Sequence, residues 1–224
     1  MNTIYKTIIT VAASALISTS AFAGSIGFGA SGSSGEVRTS GAEERGSSGQ
    51  SDGSGSSSIN VHKDTALASI FVEYIFDNGA AIGIDVMPGE TSLGSRTSTR
   101  TDAKDAGTNT VTQKAAAQVR DFRMLYLEAP VVGPLFVTAG IATVTINTQE
   151  LLGTGSTYKN VDVLGAMAGV GAKLNLGEHL YLKAMATYTD FEQIDITAQG
   201  TDNSNHISAN VDVVQAKGAI GFKF

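Results

Sequence analysis

Histidine and serine are where covalent or metal chemistry would have to start in this chain, because it contains three histidines, His62, His179 and His206, and no cysteine. Zinc needs ligands that converge on one point. His62 and His206 fall in polar connections, whereas His179 sits in a short turn that strand alternation places at the opposite end of the molecule. His62 and Asp64 with Ser69 or Ser208 have the residue types of a base, an acid and a nucleophile. No nucleophile-elbow motif presents either serine. Gly165, Gly169 and Gly171 lie inside an alternating strand pattern rather than between a strand and a helix, so they do not form a phosphate cradle. Without cysteine there is no disulfide, thiolate metal site, thiol nucleophile or acylated cysteine. The expectation is no catalytic residue, no cofactor and no metal.

A second kind of chemistry is carried by charges set singly into apolar alternation: Glu73, Asp85, Lys173, Lys183 and Lys217. In residues 65–76, Ala66, Ala68, Ile70, Val72, Tyr74 and Phe76 share one face and Ser69 and Glu73 the other. In 80–88, Ile82, Ile84 and Val86 oppose Gly83 and Asp85. In 161–174, Ala168, Val170, Ala172 and Leu174 oppose Gly169, Gly171 and Lys173. In 180–193, Leu180, Leu182, Ala184, Ala186 and Tyr188 oppose Lys183, Met185 and Thr187. Charges on the inner face of a narrow tube carry a large desolvation cost unless they meet one another. These five residues are therefore expected to form an ion-pair network, with Arg120 or Arg123 and Asp121 or Glu128 as additions. In Phe122 to Leu127 both parities are apolar, so the facing of strands 119–130 and 135–148 stays open.

The elements that would position these groups are eight alternating segments: 24–33, 65–76, 80–88, 119–130, 135–148, 161–174, 180–193 and 208–224. Asp77-Asn78-Gly79, Val131 to Pro134 and Asn175 to His179 are short links. The links between them are long and polar at 34–64 and 89–118, and shorter at 149–160 and 194–207. Short and long connections alternate strictly, as they do in an outer-membrane barrel with periplasmic turns, exterior loops and both termini on the periplasmic side. The predicted fold is all-β, an eight-stranded antiparallel up-and-down transmembrane barrel spanning 24–224. The Gly/Ser-rich stretch within 34–64 reads as a solvated exterior loop.

Ahead of this lies Lys6, an apolar run from Ile8 to Ile17 and Ala21-Phe22-Ala23 before Gly24, the pattern of a signal peptide over 1–23 cleaved between Ala23 and Gly24. The apolar run is about half the roughly 20 residues a helical span requires. The formal net charge of -6 argues against nucleic-acid partners. Mean hydropathy near zero is then an average over lipid-facing stripes, a charged interior and watery connections.

The chain ends Ile220-Gly221-Phe222-Lys223-Phe224, with three large apolar residues on one face and an aromatic ring last. This resembles the carboxyl-terminal signal of Gram-negative outer-membrane barrels. The resemblance implies that Ile220, Phe222 and Phe224 are read by the barrel-assembly machinery. Segments such as Gly169 to Leu174, followed by a tight turn and Leu180 to Lys183, are similar to the sixth and seventh strands of the opacity or OmpA-like small barrels. The resemblance covers 24–224 and departs from the family in the Gly/Ser-rich first loop and the absence of tryptophan. It implies a monomeric, non-enzymatic scaffold of the Gram-negative outer membrane, with a largely closed lumen and membrane lipid as its surroundings. The alternative is a narrow OmpW-like channel for small hydrophobic solutes that leave sideways between strands, which would need an apolar exterior funnel. A lipid-modifying barrel enzyme is the third reading.

Overall fold

The computed structural model describes residues 24–45, 55–104, 107–152, 157–199 and 205–224. Ala21 and Ala23 of the expected cleavage site lie outside them, and Gly24 opens the first strand. The strands are β1 (Gly24–Arg45), β2 (Gly55–Phe76), β3 (Ala81–Val86), β4 (Glu90–Lys104), β5 (Gly107–Val132), β6 (Leu135–Leu152), β7 (Val161–Asn175), β8 (Leu180–Phe191), β9 (Ile194–Thr197) and β10 (His206–Lys223). Neighbours run β1-β2-β3-β5-β6-β7-β8-β10, all antiparallel, and β1 pairs with β10 to close the ring. β4 continues the stave of β3 along β5, and β9 continues that of β8 along β10. Ten segments thus build eight staves.

The three short connections lie at the end that holds both chain ends. There Ile26 and Phe224 exchange both backbone hydrogen bonds at 3.1 and 3.0 Å. Each turn contains a glycine at positive φ: Gly79 at 86°, Gly133 at 56° and Gly177 at 94°. A side chain is strained in that region, so glycine is what lets these links be so tight. Asn78 adds an acceptor for the Ala80 amide at 3.0 Å.

The opposite end departs from the expected loops. β1 and β2 remain paired up to Arg45↔Gly55, and β4 and β5 up to Lys104↔Gly107, so most of 34–64 and 89–118 is strand. The reason is physical. Beyond the lipid both faces of a ribbon meet water, so side-chain alternation fades, while the backbone ladder needs no particular side chain to continue.

Two irregularities shape the wall. At Met87-Pro88-Gly89 the stave loses β2: pairing of β2 with β3 runs only from Ile75↔Ala81 to Ile70↔Val86. Pro88 has no amide to donate and Gly89 adopts φ 113°, so the chain turns away from β2 and resumes as β4 beside β5 alone. In β5 the register against β6 jumps between Arg120↔Thr145 and Arg123↔Thr143, with Asp121 at φ 54°. One extra residue reverses the facing of a strand. Val119 faces the lumen above this bulge and Phe122, Met124, Tyr126 and Glu128 below it. Below the bulge Phe122, Met124 and Tyr126 line the lumen while Leu125 and Leu127 belong to the outward face, which is why both parities of Phe122 to Leu127 are apolar.

Candidate functional site: an ion-paired floor beneath an apolar cavity

Alternation carries Glu73 on β2 into the lumen, where its side chain is 0% exposed. A carboxylate so placed needs partners for both oxygens. Oε1 accepts from Tyr181 Oη at 2.8 Å and Lys173 Nζ at 3.3 Å, and Oε2 from Tyr126 Oη at 2.7 Å and Lys183 Nζ at 2.5 Å. Lys183 also donates to Glu128 Oε1 at 2.7 Å. Beside this cluster Lys217 is paired with Asp85. Three lysines and three carboxylates therefore meet in the lumen with formal charges that cancel. Phe71, Tyr126 and Tyr181 pack their rings around Lys183 Nζ at 5.0, 5.3 and 5.8 Å from their centroids, adding cation–π attraction.

The five charges singled out by alternation thus occupy one floor across the barrel. Of the open alternatives, Glu128 joins them, whereas Asp121 and Arg123 are exposed. The two tyrosines were not singled out. Their signal is that Tyr126 and Tyr181 share the inward parity of Glu128 and Lys183 on their own strands. Glycine makes room for the rings. A Cβ on Gly83 would stand 2.5 Å from both Cζ and Oη of Tyr126 and 2.9 Å from Glu73 Cβ. Gly83→Val should therefore cost about 1–3 kcal/mol, the usual price of overpacking, read as a lower urea midpoint in detergent. Gly218→Val, with nothing within 4 Å of its Cβ position, should leave the midpoint in place. Equal midpoints for the two variants would refute this packing.

Above the floor the lumen changes character. A cavity of about 70 Å³ is lined by inward residues from most staves, among them Val37, Leu67, Phe122, Val144, Phe191 and Val213. Among the described residues no charged side chain lines it; its polar members are four threonines and Gln215. Met124 and Met167 line both this cavity and a far smaller one of about 10 Å³ within the floor, so they stand between the two. Thr65 and Leu67 on β2 and Thr91 on β4 also line the upper cavity, and these are the strands that part above Ile70. No backbone ladder joins β2 to β4 there; Lys63 Nζ reaches across from β2 to the Ser92 carbonyl at 3.0 Å.

The residues that could imitate a hydrolase do not converge. His62 points outward, where Glu36 Oε1 meets its Nδ1 at 2.5 Å and Arg38 Nε at 3.0 Å. The His62 and Arg38 contacts hold the Glu36 carboxyl below the usual carboxylate range. This cluster lies beyond the lipid-facing stripe of Ile26, Phe28 and Ala30 on the same face of β1, and so marks the rim of the apolar band away from the chain ends. Ser69 lies on the opposite face of β2 from His62 and shares a 2.6 Å hydrogen bond with Ser31. Ser208 accepts from Gln193 at 2.7 Å. His206 is near Thr197 and Asp195, and His179 lies by the Lys223 carbonyl at the turn end. Among the described residues no three His, Asp or Glu side chains form a metal-binding group.

At the carboxyl end Ile220, Phe222 and Phe224 face outward and are exposed. Phe28 on β1 stacks between the last two rings, with centroids 6.3 Å from Phe222 and 5.7 Å from Phe224.

A closed antiparallel ring with an apolar outer stripe, a charged interior and connections sorted by end defines an integral outer-membrane barrel. The chain belongs to the outer membrane protein beta-barrel domain family, whose model matches residues 9–214. No curated protein sequence matches it significantly. Among solved structures it is similar to the outer membrane protein OprG from Pseudomonas aeruginosa, at 12% identity and TM-score 0.52 over 90% of this chain and 96% of that one. The outer membrane protease OmpT from Escherichia coli matches at 9% identity and TM-score 0.48, over 92% and 99% of the two chains. Neisserial surface protein A matches at 14% identity and TM-score 0.39, over 88% and 97%. At these identities the likeness to OprG speaks for the fold alone.

Proposed function

We propose that this barrel is a non-enzymatic route by which small hydrophobic solutes enter the outer membrane from outside. Short turns and chain ends face the periplasm and the long hairpins face the exterior. A solute enters the apolar cavity from the hairpin end, is stopped by the ion-paired floor, and leaves between β2 and β4 into the surrounding lipid. The observation that carries this reading is the coincidence of cavity and gap, since Leu67 and Thr91 line the cavity from the two strands that lack a ladder between them. A purely structural scaffold accounts for the floor but gives no reason for an uncharged chamber above it. The apolar lining is supplied by strands of the barrel wall.

Because the chain has no cysteine, the double variant Leu67→Cys, Thr91→Cys can be bridged by a bis-maleimide without background. Cells producing the native barrel should take up radiolabelled toluene faster than cells without it. The bridged variant should fall to the level of cells without it, and the unbridged variant should not. Planar bilayers containing the native barrel should carry no steady ionic current. Equal uptake with and without the barrel, or uptake unaffected by the bridge, would overturn the proposal.

A further inference from the structure

Resting on the reading of the cavity as a solute site, we propose that its solute is a small anionic amphiphile, an apolar body bearing one carboxylate, and that Lys63 on β2 receives the carboxylate while the body fills the cavity. The cavity itself suits the body alone. Among the described residues no charged side chain lines it, so a carboxylate drawn inside would lose its water with nothing in return. Lys63 stands at the edge, on the side away from the ion-paired floor. It pairs with Val37 of β1 and is the next residue of inward parity beyond Thr65, and its Nζ reaches the carbonyl of Ser92, which follows Thr91. Val37, Thr65 and Thr91 all line the cavity.

What sets this lysine apart is its partner. Lys173, Lys183 and Lys217 each hold a carboxylate of the chain, so their charge is balanced within the floor. Among the described residues Lys63 forms no ion pair, and its ammonium donates to a neutral carbonyl. An ammonium has three donors, so two remain for a ligand, and the contact is exposed, so a ligand can reach them. A hydrocarbon would leave this charge unused, and a cation would be repelled by it.

The sideways exit suits an amphiphile for a second reason. A carboxylate carried into lipid would have to shed its hydration. No ladder joins β2 to β4 beyond Ile70↔Val86, so the apolar body can move toward the hydrocarbon while its head stays in water beside Lys63. About 70 Å³ suits a short chain or a single ring rather than a two-chain lipid.

Three probes of one length test this: 6-fluorohexanoate, 6-fluorohexan-1-ol and 6-fluorohexylammonium. Each is titrated by fluorine NMR at neutral pH, where the acid is ionised, into phosphatidylcholine nanodiscs holding the barrel and into empty ones, so that partition into lipid is subtracted. Lys63→Gln should weaken hexanoate binding about twofold to fivefold, the worth of an exposed ion pair, and leave the hexanol unchanged. Lys63→Arg keeps the charge and should keep the native affinity for the hexanoate. The ammonium should bind the native barrel more weakly than the hexanol, and the effect of Lys63→Gln on the hexanoate should fade in high salt. The heat-modifiable gel band shows that each variant is folded. Hexanoate affinity unmoved by Lys63→Gln, equal losses for hexanoate and hexanol, a loss with Lys63→Arg as large as with Lys63→Gln, or an ammonium that binds as tightly as the hexanol overturns this inference and leaves the solute site standing. If none of the three binds saturably, the reading of the cavity on which the inference rests is itself overturned.

Discussion

Glu73→Leu should unfold this barrel more readily than any other single lumen substitution. The carboxylate accepts from two lysines and two tyrosines, so its loss leaves Lys173 without its carboxylate partner, Lys183 with Glu128 alone, and two buried hydroxyls without an acceptor. Breaking a buried ion pair from one side costs about 3–5 kcal/mol, because the remaining charge stays where water cannot reach it. The gap between variants is more informative than the size of the loss. Glu73→Gln keeps the shape and one oxygen acceptor and should sit between native and Glu73→Leu. The double variant Glu73→Leu, Lys173→Met also removes the lysine that the single variant leaves without an acid, and should recover part of what the single variant loses. Urea titration of the detergent-folded protein, followed by the heat-modifiable band, gives the order. A double variant less stable than Glu73→Leu would show that the floor is held by packing and not by charge.

Deleting Phe224 should reduce the amount of barrel assembled in the outer membrane far more than trimming residues 40–56. Phe224 closes the ring: its backbone exchanges two hydrogen bonds with Ile26, and its ring stacks on Phe28. The described residues of the trimmed segment pair only at the far ends of β1 and β2, with each other and with β10, beyond the rim marked by Glu36 and His62. Comparing assembled protein per cell with the yield of refolding in detergent separates two contributions. A loss in cells with normal refolding belongs to recognition by the assembly machinery, whereas a loss in both belongs to ring closure. Equal tolerance of the two deletions in cells would refute a special role for the last residue.

Alternation reveals the barrel wherever one face of a strand meets lipid. Ile82 and Ile84, or Ala168 and Val170, can only be read one way, and the structure turns them outward. It fails at Asp121, where a single inserted residue reverses the phase and no local composition announces it. It fails again above the rim, since water on both sides removes the contrast that alternation depends on while the ladder runs on. The cavity is hidden for a different reason. Its lining takes one or two inward residues from each of several staves, such as Val37, Leu67, Val144 and Val213, so no stretch of sequence looks like a binding site. The parting of β2 from β4 does have a local signature in Pro88-Gly89, but what it opens onto depends on staves distant in sequence.

The continued ladder of β1 and β2 has a consequence for reach. β1 contains 22 residues. At about 3.3 Å of rise per residue it is roughly 70 Å long, and a tilt of about 40° leaves somewhat over 50 Å of height. The apolar band takes up about 25 Å of that, so the ribbon tip stands about 30 Å clear of the hydrocarbon. The paired ribbon of β1 and β2 is therefore a stalk rather than a loop, holding the groups at its far end well clear of the lipid, where a short link would leave them at its surface.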